Sequence, residues 1–225
     1  MADSASTSHG GAPPVAHQFA TARQQREAAN LGMWFFLVQE VLFFGGLFTV
    51  YAVYRFRFPE AWAEASRELD VKLGAINTAV LITSSLTMAM AVHGAQLGKR
   101  SQQMVSLLLT LALGATFLGI KAIEYHHKWV EHLMPAPGFQ FHGASSGPEV
   151  GHARLFFACY FVMTGMHALH MVIGFGLLLW LLKNAAAGVY SGAYNTPVEN
   201  VGLYWHFVDI VWIFLFPLLY LVHPR

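Results

Sequence analysis

About half of this chain is apolar run, and that fact decides most of what it can fold into. Five stretches run roughly from Leu31 to Tyr54, Leu73 to Leu97, Gln103 to Glu124, Leu155 to Leu182 and Leu203 to Val222. Each is near or above the ~20 residues a helix needs to cross about 30 Å of hydrocarbon. None shows the polar face that a soluble core helix carries at 3.6-residue spacing. Composition closes the alternatives. With 13 Lys and Arg, 12 Asp and Glu and 18 Phe in 225 residues, a soluble domain could not cover its apolar surface. The same numbers exclude disorder. A net charge of +1 leaves no electrostatic footprint for nucleic acid. The lone cysteine, Cys159, excludes a disulfide scaffold and any cysteine-based zinc or iron–sulfur site. The expected fold is all-α: an integral membrane bundle of five transmembrane helices.

The connecting segments are short. Residues 1–30 read as an N-terminal tail, flexible over its Ser-, Gly-, Ala-, Pro- and His-rich first part, and residues 31–225 as the membrane domain. No apolar core follows a basic start, so no signal peptide is expected. Pro59 to Asp70 opens with a helix-starting proline and predicts a short surface helix. Tyr125 to Arg154 is the longest expected loop, with His126, His127 and His132 in it. There is no internal repeat, glycine-rich phosphate loop or Ser-His-Asp order. Arg55, Arg57, Arg67, Lys72, Lys128, Arg154 and Arg225 lie on one side of the expected bundle. Arg23, Arg26, Lys99, Arg100 and Lys183 lie on the side of the N-terminus. By the positive-inside rule that balance leans toward an outside N-terminus.

Polar groups inside the spans are the candidate functional residues. Ala75, Ala79, Thr83, Thr87 and Ala91 recur every four residues in the second span and predict close helix packing. Glu40 is the sharpest feature, about 13 Å along the first span at 1.5 Å per residue. Its own-face neighbours Phe36, Leu37, Phe43, Phe44 and Leu47 cannot hydrogen-bond it. It needs a partner from another helix, or water. Two readings stand: a structural carboxyl, or a proton-handling or lipid-related one. Counting depth along alternating spans puts Glu40, His170 and Asp209 in the same half of the bilayer. His206 shares a face with Asp209 and supplies it with a local partner, which leaves His170 for Glu40. Glu124, with Lys121 before it and Lys128 after it, reads as a salt-bridged helix end at the membrane interface. His167, His170 and His206, with His93 at a border, admit a haem or metal reading beside a structural one. A haem would need two imidazoles at matched depth on facing helices, and His206 matches His170 poorly.

At these residues the chain resembles a known family, cytochrome c oxidase subunit III of the haem-copper oxidases. Gln39-Glu40-Val41-Leu42-Phe43-Phe44 is similar to the family's first-helix carboxylate motif. Asn77-Thr78 with Ser84-Ser85 resembles its next helix. Thr164-Gly165-Met166-His167-Ala168-Leu169-His170 resembles its Gly-x-His-x-x-His helix. Tyr204-Trp205-His206-Phe207-Val208-Asp209-Ile210-Val211-Trp212 is similar to its last helix, and Glu124-Tyr125 to the Glu-Tyr that ends a helix. Order and spacing agree from about Leu31 onward. With five spans the chain resembles the short bacterial form, which lacks the first two helices of the long form and their share of a lipid cleft. The resemblance implies an accessory subunit without haem, copper or any other cofactor of its own, in an enzyme complex whose redox centres lie elsewhere. It implies packing on subunit I in a complex with subunit II, bound phospholipid, and support of proton uptake and of stability during turnover. It also implies a bacterial cytoplasmic membrane location with the N-terminus cytoplasmic and the C-terminus periplasmic, against the charge balance.

Three other readings are compatible with parts of the sequence. The third subunit of a quinol oxidase and a nitric oxide reductase-associated subunit share the family, and the donor, cytochrome c or quinol, is selected elsewhere in the complex. An independent proton channel or transporter would use Glu40 and Asp209, but such proteins commonly show inverted repeats and broken helices. A haem b membrane anchor would use the intramembrane histidines.

Overall fold

Side-chain caps, helix-starting prolines and an internal seam set the helices of this chain. The structure, a computed structural model, describes residues 15–137, 139–141, 148–192 and 194–222. Helix α1 spans Ala22–Arg57. The Thr21 side chain caps it by accepting from the Gln24 N–H at 3.1 Å, and Arg23 pairs with Glu27 at 2.8 Å one turn on. Residues 22–30, expected within the tail, are therefore helical, because Gln, Arg, Glu and Ala are strong helix formers behind a good cap. The expected flexible residues 1–14 lie outside the described residues.

Helix α2, Pro59–Arg67, forms where the surface helix was expected. It is more than a surface element, since Trp62 is fully buried against the rings of Phe58 and Phe156. Helix α3, Val71–Gln96, is capped by the Asp70 carboxylate, which accepts from the N–H groups of Lys72 and Leu73. Helices α4 (Arg100–Val130), α5 (Pro148–Ala186) and α6 (Thr196–Tyr220) complete the chain. Among the described residues five helices, all but α2, are long and apolar enough to cross a membrane. Two ends differ from expectation. Nothing between Glu124 and Val130 breaks a helix, so α4 continues past Glu124 and stops at Glu131, where His132 takes a positive φ of 55°. Helix α5 starts before Arg154. Much of the expected Tyr125–Arg154 loop is thus helical, and its residues 142–147 lie outside the described residues.

The bundle is organised around α6, which touches α1, α2, α3 and α5. The antiparallel α3–α4 hairpin flanks it on one side, and α4 leads round to α5. One series of the buried residues in each of α3, α4 and α6 follows alternating spacings of three and four. In α3 they are Gly74, Asn77, Leu81, Ser84, Met88, Ala91 and Ala95. In α4 they are Gln103, Leu107, Thr110, Gly114, Phe117, Lys121, Glu124 and Lys128. In α6 they are Val198, Val201, Trp205, Val208, Trp212, Leu215 and Leu219. A 3.5-residue repeat keeps each seam facing its partner and gives the left-handed packing of coiled coils.

That seam corrects the reading of the small-residue stripe. Ala75, Ala79 and Thr83 are exposed on the outer surface of α3, and only Thr87 and Ala91 turn inward. A repeat of four advances about 400° per step, so it winds off the 3.5-residue seam that packs inside the chain.

One side chain ties three helices to α6. The Trp205 indole is fully buried and donates to the Ser84 hydroxyl on α3 at 3.0 Å. It fits only because α4 and α5 present glycines: a Cβ on Gly114 would lie 3.0 Å from the ring, and one on Gly174 2.9 Å. Gly174→Val should therefore cost about 1–3 kcal/mol through overpacking, seen as a lower midpoint in detergent unfolding. Gly45→Ala should not lower the midpoint, because nothing lies within 4 Å of a Cβ there.

Candidate functional site

Helix α1 is the least enclosed of the five spans, with Glu40, Phe44 and Tyr51 as its buried residues. Glu40 and His170 meet across α1 and α5, Nε2 to Oε2 at 3.1 Å, and both side chains are buried. The His170 Nδ1 contacts the Met166 carbonyl at 2.8 Å. A carbonyl only accepts, so Nδ1 carries a proton. The 3.1 Å contact then shares one proton: either the carboxyl gives it to Nε2, or a charged imidazole gives it to the carboxylate. Phe44 packs on the imidazole with centroids 5.2 Å apart, and the Tyr204 hydroxyl donates to the His170 carbonyl at 2.8 Å. The depth count and the structure agree on this pair. His170→Ala strands the carboxyl and should cost about 1–3 kcal/mol locally. Hydrogen exchange should rise along α1 while the α3–α4 hairpin stays protected.

The second cluster lies near the other end of α4. Lys121 Nζ is 3.0 Å from Glu124 Oε2, and both side chains are almost fully buried. The hydroxyls of Tyr160 and Tyr220 donate to Glu124 Oε1 at 2.7 and 2.5 Å. Lys121 in turn donates to the same two hydroxyls at 3.1 and 2.8 Å. Four rings, those of Tyr125, Tyr160, Trp212 and Tyr220, surround the ammonium at 5.1–5.5 Å from their centroids. This is no helix-end pair. Both residues sit on the buried seam of α4, so the charges face α5 and α6. Lys128, expected beside Glu124, instead donates to Glu131 at 2.7 Å, because α4 runs on and carries it one turn away. Beyond the span, burial of Glu131 opposes its ionisation, but the hydrogen bonds and charges of Lys128 and His127 hold its carboxyl below the usual range.

The remaining candidates do not converge. His167 is enclosed between Phe117 and Trp212, centroids 5.4 and 5.3 Å away, and neither ring nitrogen has a hydrogen-bond partner. His206 turns to α3, where its Nδ1 meets the Ser85 hydroxyl at 2.7 Å. It does not pair with Asp209, contrary to the shared-face count. Among the described residues no three His, Cys, Asp or Glu side chains gather as metal ligands. Both His170 nitrogens and one His206 nitrogen are engaged, so these rings do not offer a facing axial pair. The His126–His132 segment spreads outward, with His127 bonded to Glu131 at 3.2 Å.

The sequence reading missed Tyr160, Tyr220 and Trp212 as partners of the buried ion pair. The available signal was the spacing: Lys121, Glu124 and Lys128 continue the three-four repeat begun at Gln103.

Comparison with known proteins decides the family. The family model for cytochrome c oxidase subunit III matches residues 16–131 and 149–223. The chain belongs to the cytochrome c oxidase subunit III family. It is similar to cytochrome c oxidase subunit 3 of Synechocystis sp., 36% identical over 85% of this chain and 74% of that one. It is 31% identical to cytochrome c oxidase subunit 3 of Corynebacterium diphtheriae, over 92% of this chain and 95% of that protein. It is also 29% identical to cytochrome bo(3) ubiquinol oxidase subunit 3 of Pseudomonas aeruginosa, over 92% and 91%. The motifs that carried the resemblance place Glu40 and His170 in contact in this subunit III, and put Ser84 and Trp205 in a second contact.

Proposed function

We propose that this subunit III is a non-catalytic accessory subunit of an aerobic respiratory haem-copper oxidase. It packs on the catalytic subunit I in a complex that includes subunit II, holds phospholipid, and supports proton uptake and stability during turnover. Haem and copper belong to those partner subunits. The membrane is the bacterial cytoplasmic membrane, with the N-terminus cytoplasmic and the C-terminus periplasmic.

The carrying observation is the Glu40–His170 contact. A carboxyl with one engaged imidazole, wedged against Phe44, is built to hold α1 onto α5 rather than to pass substrate. A transporter would need polar groups that follow one another through the bundle. Here Glu40–His170 and Lys121–Glu124 are separate clusters, each closed by its own partners. The likeness to the ubiquinol oxidase subunit supports one second reading, a complex that takes electrons from quinol.

The test is extraction in mild detergent followed by identification of what copurifies. Oxidase subunits I and II, with their haem spectrum, are the expected result; a stable monomer with neither contradicts the proposal. In the same complex Glu40→Gln should leave the haem content unchanged, and should shorten the activity half-life during turnover while leaving the initial rate near that of the wild type.

A further inference from the structure

Glu40 and its neighbour Gln39 face different ways. Glu40 is buried and turned to His170. Gln39, about 100° round the helix, is exposed on the outer surface of α1. Its carboxamide makes no hydrogen bond among the described residues. The apolar run of α1 extends from Leu31 to Tyr54, so Gln39 lies roughly 12 Å from one end of it and roughly 22 Å from the other, at 1.5 Å per residue. Its side chain is too short to reach either interface. Two N–H donors and a carbonyl oxygen therefore stand open toward hydrocarbon, where leaving them unmet is costly.

Gln39 is also part of a series. Gly32, Phe35, Gln39, Leu42, Gly46 and Thr49 follow alternating spacings of three and four, and all six are exposed. This is the repeat that α3, α4 and α6 use for their inner seams. On α1, the least enclosed span, it faces outward. Nothing lies within 4 Å of a Cβ on Gly32 or Gly46, so the two glycines are notches beside the bulky Phe35 and Leu42, which are 70% and 72% exposed. The Thr49 hydroxyl already donates to the Gly45 carbonyl at 2.8 Å. Gln39 is the polar group of this seam that needs a partner from outside.

Depth and shape say what can supply it. A lipid headgroup stays at the interface, and an acyl chain neither donates nor accepts. A second copy of this chain fits the seam badly. Two copies in one membrane share orientation and depth, so a twofold axis along the membrane normal sets each seam residue against itself. Phe35 and Leu42 would hold the two helices apart, while Gly32 and Gly46 would face their own copies across voids. Such voids forfeit the dispersion contacts that drive helix association in lipid. A helix of different sequence can set large side chains at the glycines and small ones at Phe35 and Leu42. We propose that this face of α1 receives a membrane-spanning helix of a different subunit, and that a polar side chain of that helix hydrogen-bonds the Gln39 carboxamide. This rests on the accessory-subunit reading for the identity of the partner, but not for the existence of the contact.

The experiment places a photo-crosslinking amino acid at Phe35 or Leu42 on the seam, and at Leu108 on the exposed face of α4 as a control, in the full-length chain in its native membrane. Adducts from Phe35 and Leu42 should map to one membrane-spanning segment of a different identified subunit that carries a polar side chain, and Leu108 should not yield that adduct. Gln39→Leu should lower the partner retained after mild extraction by about threefold to tenfold, the scale of one interhelical hydrogen bond in lipid. Gly46→Leu fills a notch where nothing in the chain lies within 4 Å of a Cβ. It should weaken retention as far, with the chain itself at wild-type levels in the membrane. Seam adducts to lipid alone, or to a second copy of this chain, overturn the inference, as does unchanged retention in both variants. If oxidase subunits still copurify while the seam crosslinks only to lipid, the inference fails and the accessory reading stands. A seam adduct to a membrane subunit that is no part of an oxidase supports the docking surface and overturns the accessory reading instead.

Discussion

Hydrocarbon offers no hydrogen bonds, so a polar side chain inside these helices is costly unless the protein partners it, and several of the partnerships here cross from one helix to another. That constraint shapes the whole subunit. Glu40 reaches His170 and ties α1 to α5. Trp205 reaches Ser84 and ties α6 to α3. Glu124 gathers Lys121, Tyr160 and Tyr220, and so ties α4, α5 and α6 at one point. Thr87 and Thr110 join α3 to α4 at 2.8 Å. Dispersion along the three-four seam brings the helices together, but it would tolerate sliding. The polar contacts fix depth and rotation, because a slipped helix would leave a bare carboxyl or ammonium in an apolar interior.

Much of this was legible in the sequence. The five spans follow from length and hydropathy alone, and the family from four motifs in order. The Glu40–His170 contact follows from counting depth, because a helix rises by a fixed amount per residue and its neighbours alternate in direction. The nature of the Lys121–Glu124 pair was not legible in the same way. An i, i+3 ion pair looks alike at a helix end and in a core, and the difference lay in where α4 stops. The tyrosines that complete the cluster come from α5 and α6, at sequence separations that no local pattern encodes. The small stripe on α3 misled for a related reason: small residues mark close approach, and their spacing of four pointed them outside the chain. Asp209 was assigned a partner on its own helix, yet His206 one turn away swings to Ser85, since a ring reaches a neighbouring helix as easily as its own next turn.

Taken together, the Glu40–His170 and Lys121–Glu124 clusters are closed by their own partners, whereas the buried side chains of Asn77, His167 and Asp209 make no hydrogen bond that meets normal geometry. Helix α1 is the least enclosed of the spans. Its outer residues Trp34, Phe35, Val38 and Leu42 are exposed, and the cluster of Glu40, Phe44 and Tyr51 holds it. Tyr51 adds a hydroxyl that donates to the Leu218 carbonyl on α6.

The most direct test of cross-helix pairing as the fixing interaction is a double-substitution cycle at Lys121 and Glu124, read as unfolding free energy in a defined detergent. Lys121→Met or Glu124→Gln alone leaves a buried group without its counterpart and should cost about 3–5 kcal/mol. The two together remove both charges from a site that Tyr160 and Tyr220 still fill, and should recover most of that loss. A double variant that loses the sum of the two single effects would show the charges acting independently, and would contradict pairing as what holds these helices in register.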